Sequence, residues 1–165
     1  MGKSSQEQGA SSQEQGASSQ RQVGYRRVVA FQKADLMAKR AYRLARKVAK
    51  EDRWLASQLS RAAVSAPLNI AEGHGRGTLR DFLRFLETAS SSINEVEYLL
   101  DFLTDAGIID DADLVSIEPV RREAAATLTG LIKALRKRAG EEKDWNRKLV
   151  SDEHADNTTD EIDEY

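Results

Sequence analysis

The sequence predicts an all-α protein: an antiparallel up-down four-helix bundle with a disordered N-terminal leader and an acidic, disordered C-terminal tail. Three observations carry this reading. Four segments repeat apolar residues at steps of three and four, the spacing that keeps side chains on one helix face. Proline occurs only twice, and glycine gathers between residues 73 and 77, so long unbroken segments alternate with short breaks. Aromatic residues make up 6% of the chain, which leaves the core to Leu, Ile, Val and Ala and suits helices better than sheets.

Residues 4–10 read SSQEQGA, residues 11–17 repeat this heptad, and a third copy begins at Ser18. A period of seven is that of a coiled coil, but these copies hold no large apolar residue to bury in a seam. Residues 1–22 are therefore expected to be disordered. The bundle is assigned to residues 23–150. Its first helix carries the seam Ala34, Met37, Ala41, Leu44 and Val48. The second begins near Arg53 and aligns Leu55, Leu59, Ala62, Ala66 and Ile70.

The third segment has the clearest pattern: Leu79, Phe82, Leu86, Ala89, Ile93, Val96, Leu100 and Leu103 run over about seven turns. Leu83, Phe85, Leu99 and Phe102 widen its stripe beyond the roughly 100° face of an ordinary surface helix. That excess fits either deeper burial or a second apolar face used for self-association. The fourth segment carries Ile117, Val120, Ala124, Leu128, Leu131 and Leu135. Short loops between long helices favour antiparallel neighbours, hence the up-down order.

Boundary residues support these segments. Gly73, Gly75 and Gly77 are expected to supply left-handed conformations ending the second helix. Thr78 with Asp81 forms a capping-box pattern in which Asp replaces the usual Glu. Ala106-Gly107 closes the third helix. Asp110, Asp111 and Asp113 suit the start of the fourth, and Lys133, Arg136, Lys137 and Arg138 suit its end.

Composition also excludes. Without cysteine there are no disulfides or thiolate metal sites, and His74 and His154 alone do not make a histidine-rich site. No cofactor is expected. No apolar run approaches the ~18 residues of a membrane span, and the N-terminus lacks the pattern of a secretory signal. The expectation is a soluble cytoplasmic protein without a membrane partner. The net charge of −2 conceals a polarity: residues 21–150 hold 24 Lys and Arg against 18 Asp and Glu, while residues 151–165 hold seven acids and no Lys or Arg.

The second helix contains Gln58-Leu59, Arg61-Ala62-Ala63-Val64-Ser65, Pro67 and Asn69-Ile70-Ala71-Glu72-Gly73, followed by Arg76. With Asp81 to Leu86, Ser92, Glu95, Glu97 and Leu128 to Ile132, this pattern resembles the four-helix-bundle proteins encoded in 23S ribosomal RNA intervening sequences. The resemblance covers about residues 31–138. Two departures concern the first helix: Met37 stands where the family usually has an aromatic, and Lys50-Glu51-Asp52-Arg53 replaces a proline-containing connection. The resemblance implies a homo-oligomer, a pentamer, without known catalysis. A related bundle, the accessory variability determinant of diversity-generating retroelements, works with a reverse transcriptase and nucleic acid. By analogy, RNA or a reverse transcriptase ribonucleoprotein is a candidate partner.

Within the motif, Arg61, Ser65, Pro67, Asn69, Glu72, Gly73 and Arg76 are read as mainly structural. A proline inside a helix costs about 3 kcal/mol, so Pro67 is expected to shape a kink, with Ser65 bonding a freed carbonyl. Asn69 and Glu72 share a face and are expected to tie the helix end to the turn or to Arg76. Glu72 lacks a second carboxylate or nucleophile at catalytic spacing, so no catalytic residue is assigned. The small residues Ala62, Ala63, Ser65 and Ala66, and Ala89 to Ser92, fit close helix packing.

The first helix supplies the candidate nucleic-acid surface. Lys39, Arg43, Arg46 and Lys50 project within about 60° of one another at 100° per residue, flanked by Arg40 and Lys47. Asp35 is the only acid between Lys33 and Lys50. A soluble, charged face explains the stripe equally simply. If it binds nucleic acid, it reads backbone charge with little sequence preference, because no base-reading motif accompanies it. The acidic tail is a candidate competitor for the same stripe.

Overall fold

The computed structural model describes the backbone of residues 24–156 and the side chains of residues 24–140. The leader over residues 1–22 and the last nine residues lie outside the described residues. A short 3-10 turn at Tyr25–Arg27 precedes four helices: α1 at Val29–Val48, α2 at Arg53–His74, α3 at Leu79–Asp105 and α4 at Asp111–Asp156. No strand occurs among the described residues. Each helix packs on its two chain neighbours and α4 closes on α1, so α1 and α3 stand diagonally across the bundle.

The core follows the seams. Ala34, Met37, Ala41, Leu44 and Val48 of α1 and Leu55, Leu59, Ala62, Ala66 and Ile70 of α2 are all buried. So are Leu86 through Leu103 at the seam positions of α3, and Ile117, Val120, Ala124 and Leu128 of α4. Of the residues that widened the α3 stripe, Leu99 is buried, Leu83 and Phe85 are half-buried, and Phe102 stays 43% exposed. Deeper burial therefore accounts for part of that excess and leaves Phe102 for the surface. The small-residue surfaces pack closely: Ala62, Ala63, Ala66, Ala89 and Ser92 are all buried.

Caps define three of the four starts. Asp52 accepts a hydrogen bond from the Leu55 amide at 2.8 Å, satisfying one of the free donors that open α2. Thr78 accepts from the Asp81 amide at 3.1 Å, and its hydroxyl donates to the Asp81 carboxylate at 2.7 Å. At the head of α4 the exchange is reciprocal, Asp113 amide to Asp110 carboxylate and Asp110 amide to Asp113 carboxylate, at 3.0 and 3.1 Å. The end of α3 is a Schellman motif: Gly107 sits at φ 69°, its amide donates to the Thr104 carbonyl, and Ile108 donates to Leu103.

Two boundary expectations are corrected. Among the described residues, Gly107 alone has a positive φ, so Gly73, Gly75 and Gly77 are not left-handed terminators. Gly73 lies inside α2 and is buried. A Cβ placed there would meet the Phe85 Cβ at 2.6 Å and the Phe82 Cδ2 at 2.9 Å. Its glycine is required by the close approach of α2 to α3, and the helix continues through it to His74. In addition, α4 does not end after Lys133–Arg138. It runs to Asp156, so those cations lie in its interior, and no helix end falls at residue 150. A single Gly140 in a run rich in Lys, Arg and Glu is too weak a breaker to stop it.

Candidate functional site

Five of the six cations proposed for nucleic-acid contact sit on α1, while Lys50, expected on the same helical stripe, falls in the turn after Val48, and the six do not form one uniform face. Lys39 is paired with Asp35 at 2.6 Å. Arg40 is half-buried and reaches across to α4, where its guanidinium donates to the Ser116 carbonyl at 2.6 Å. Lys47 is claimed by the acidic start of α4, 2.5 Å from Asp113 and 3.5 Å from Asp110. These contacts raise the Lys47 ammonium above its ordinary value, the Asp113 hydrogen bond most of all. They also help lower the Asp110 carboxyl, which is held down first by the Asp113 amide.

Arg43, Arg46 and Lys50 remain. All three are exposed and have no carboxylate partner among the described residues. With Lys47 they line one shallow surface depression of about 300 Å³. The sequence made neutralisation look scarce because it shows only the local acid, Asp35. Asp110 and Asp113 arrive from more than 60 residues downstream, because α4 runs antiparallel to α1. The pairs Lys33 with Glu123 and Lys47 with Asp113 establish that direction. The same direction carries α4 away from Lys50.

The motif residues of α2 build a different surface. Asn69 donates to the Ser65 carbonyl at 2.9 Å and to the Ser65 hydroxyl at 3.0 Å. The Ser92 hydroxyl of α3 lies 2.9 Å from that hydroxyl and 3.0 Å from the Thr88 carbonyl, and its single proton serves one of the two. Ser65 thus joins two helices through its hydroxyl, instead of bonding a carbonyl freed by Pro67. Glu72 forms an ion pair with Arg76, as expected for a tie between helix end and turn. Asn69 does not take part in it.

On the outer side of α2, Arg61, Ser65, Leu68, Asn69 and Glu72, with Tyr42 and Glu95, line an open groove of about 660 Å³. Beside it, Tyr42, Val64, Pro67 and Leu68 form the apolar floor of a second groove of about 370 Å³, rimmed by Asp35, Lys39 and Arg43. Leu68 and Tyr42 are 61% and 57% exposed. Sequence spacing gave no warning of this apolar surface, because Val64 and Leu68 fall off the seam of α2.

One further cluster escaped the sequence reading. Arg121 of α4 is buried, its guanidinium 2.6 Å from Glu118 and 2.9 Å from Glu97 of α3. Its hydrogen bonds hold the Glu118 carboxyl down to about 2. Glu118 in turn raises Arg121 further. Arg121 lies on the α4 seam between Val120 and Ala124, where a charge is out of pattern. That irregularity was the available signal.

No group of three or more His, Asp or Glu side chains able to hold a metal occurs among the described residues. No helix among them is long and apolar enough to cross a membrane. The fold and surfaces define an all-α four-helix bundle with a proline-bearing second helix and a cationic outer first helix. The chain belongs to the 23S rRNA-intervening sequence protein family, whose model matches residues 26–130. It is similar to a protein of unknown function of the S23 ribosomal protein family from Bacteroides thetaiotaomicron VPI-5482, solved by crystallography. The two share 26% identity with a TM-score of 0.61, over 64% of this chain and 99% of that one. No curated protein matches.

Proposed function

We propose that the chain is a non-enzymatic, homo-oligomeric helical scaffold that binds RNA, free or within a ribonucleoprotein, through the outer face of α1. The observation that carries this reading is the set Arg43, Arg46 and Lys50, three neighbouring cations without a carboxylate partner among the described residues, around one depression. Unpaired cations attract phosphate and release its counterions on contact, so binding is driven by charge and steeply salt-dependent. Lys39, Arg40 and Lys47 border the site but are held by protein groups, which makes them positioning neighbours and not phosphate ligands. The exposed Tyr42, Val64 and Leu68 supply an apolar surface for self-association, with a pentamer as the assembly the family resemblance implies.

A salt titration of RNA binding tests the reading. Reversing Arg43, Arg46 and Lys50 to Glu is expected to lower the slope of log affinity against log salt by about 2 to 3. Binding that ignores both salt and those reversals overturns it, and a strictly monomeric solution mass overturns the scaffold. The apolar groove at Pro67 and Leu68 favours a second reading, a protein-interaction adaptor without nucleic acid. A co-purifying protein partner together with absent RNA affinity would select it.

A further inference from the structure

We propose that a second phosphate-binding site for RNA lies at the diagonally opposite corner of the bundle, formed by Arg80 and Arg84 of α3 beside the Arg76–Phe85 contact. It rests on the nucleic-acid reading above and extends it to residues that reading does not use. The Arg76 guanidinium carbon stands 4.9 Å from the centre of the Phe85 ring, and that of Arg84 stands 5.7 Å from the same centre. Two guanidinium groups are thereby held on one ring, which restricts long side chains before any ligand arrives. Phe85 is itself fixed, because it packs against the backbone of Gly73 in α2.

The local charge is unbalanced. Arg76 has Glu72 as its ion-pair partner. Arg80 and Arg84 are exposed and have no carboxylate partner among the described residues. They lie four apart on one face of α3, where like charges repel each other. Asp81 accepts from the Thr78 hydroxyl and Glu87 pairs with Arg136 of α4 at 2.7 Å, and neither carboxylate lies within ion-pair distance of Arg80 or Arg84. Two neighbouring arginines without a carboxylate partner, one of them held on the Phe85 ring, are suited to the forked recognition of phosphate oxygens. Because α3 is diagonal to α1, this corner and the Arg43, Arg46 and Lys50 face point away from each other. One protomer can therefore hold two RNA segments.

The test is binding of a fluorescent single-stranded RNA of mixed sequence to the full chain across a salt titration. Arg80→Glu with Arg84→Glu is compared with Arg43→Glu with Arg46→Glu. Each pair is expected to weaken low-salt binding at least about tenfold and to lower the salt slope by about 1.4. Arg80→Gln with Arg84→Gln, which removes charge without reversing it, is expected to lower the slope equally. Loss confined to the α1 pair overturns the second site and leaves the α1 reading standing. Loss confined to the α3 pair does the opposite. Wild-type chain that binds no RNA overturns both. Equal competition by a polyglutamate peptide would make this an acidic-protein site and overturn the proposal.

Discussion

Replacing Gly73 by alanine separates three roles that a glycine near a helix end can have. At a left-handed position the substitution is strained by the backbone, costing about 1–2 kcal/mol. In an exposed helix interior it is favourable by about 0.5–1 kcal/mol, because alanine loses less backbone freedom. At a close approach it forces neighbouring atoms apart. Gly73 is helical and buried, and the added Cβ would lie 2.6 Å from the Phe85 Cβ. That atom is one bond from the α3 backbone, so no side-chain rotation relieves the overlap, and the helices must separate by several tenths of an ångström.

Overpacking of this kind costs about 1–3 kcal/mol, which exceeds the propensity gain. The expected net destabilisation is about 1–2 kcal/mol, a fall in thermal midpoint of about 3–8 °C for a domain of this size. The assay is thermal and urea unfolding followed by circular dichroism at one fixed protein concentration. Gly77→Ala is the internal control, since nothing lies within 4 Å of its added Cβ, and it should leave the midpoint unchanged. Gly107→Ala, at φ 69°, should fall by a comparable amount for the other reason, backbone strain. A Gly73→Ala variant as stable as wild type, or more stable, would refute the close-approach account.

Glu118 provides a pH signature. Its carboxyl is held at about 2, below the ordinary 4.5, so its ion pair stabilises the fold fully above pH 4.5 and is lost as pH falls toward 2. Undiscounted, the difference is worth about 3 kcal/mol; solvent screening on its open side reduces this to about 1–2 kcal/mol. Wild type should therefore lose more stability between pH 5 and pH 2 than Glu118→Gln, and parallel pH profiles would count against the assignment. Asn69→Ala removes both hydrogen bonds to Ser65 and should cost about 1–2 kcal/mol in urea unfolding without changing RNA affinity. An affinity change at unaltered stability would instead make Asn69 a ligand contact.

The seams were legible because burial in a bundle is periodic. Met37, Leu59, Ile70, Leu86 and Ile117 fall where steps of three and four place them, and all are fully buried. The caps at Thr78 and Gly107 were legible for a related reason, since each depends on neighbours within a few residues. Gly73 was misread because a sequence displays the freedom of glycine but not the atoms pressing on it. The end of α4 was misread because a cluster of Lys and Arg suits a helix terminus and a long exposed helix equally well. For Gly73 the missing information was a neighbour distant in sequence.

The same limit governs the charged surface, and there it changes the functional argument. A count along α1 gives six cations and one acid, which describes a single continuous phosphate face. Antiparallel packing of α4 places Asp110 and Asp113 on Lys47 and the Ser116 carbonyl on Arg40, while Asp35 already holds Lys39. Breaking such contacts to bind phosphate would cost part of what the phosphate returns. Only Arg43, Arg46 and Lys50 can meet a ligand without that exchange. Among the six cations of this face, affinity should follow these three, and neutralising Lys47 should act mainly through the α1–α4 contact. Lys47→Gln is therefore expected to lower stability slightly while leaving the salt slope of RNA binding almost unchanged, whereas Arg46→Gln should lower the slope by about 0.7–0.9 at constant stability. Equal slope changes for the two variants would restore the continuous face and remove the distinction between paired and unpaired cations.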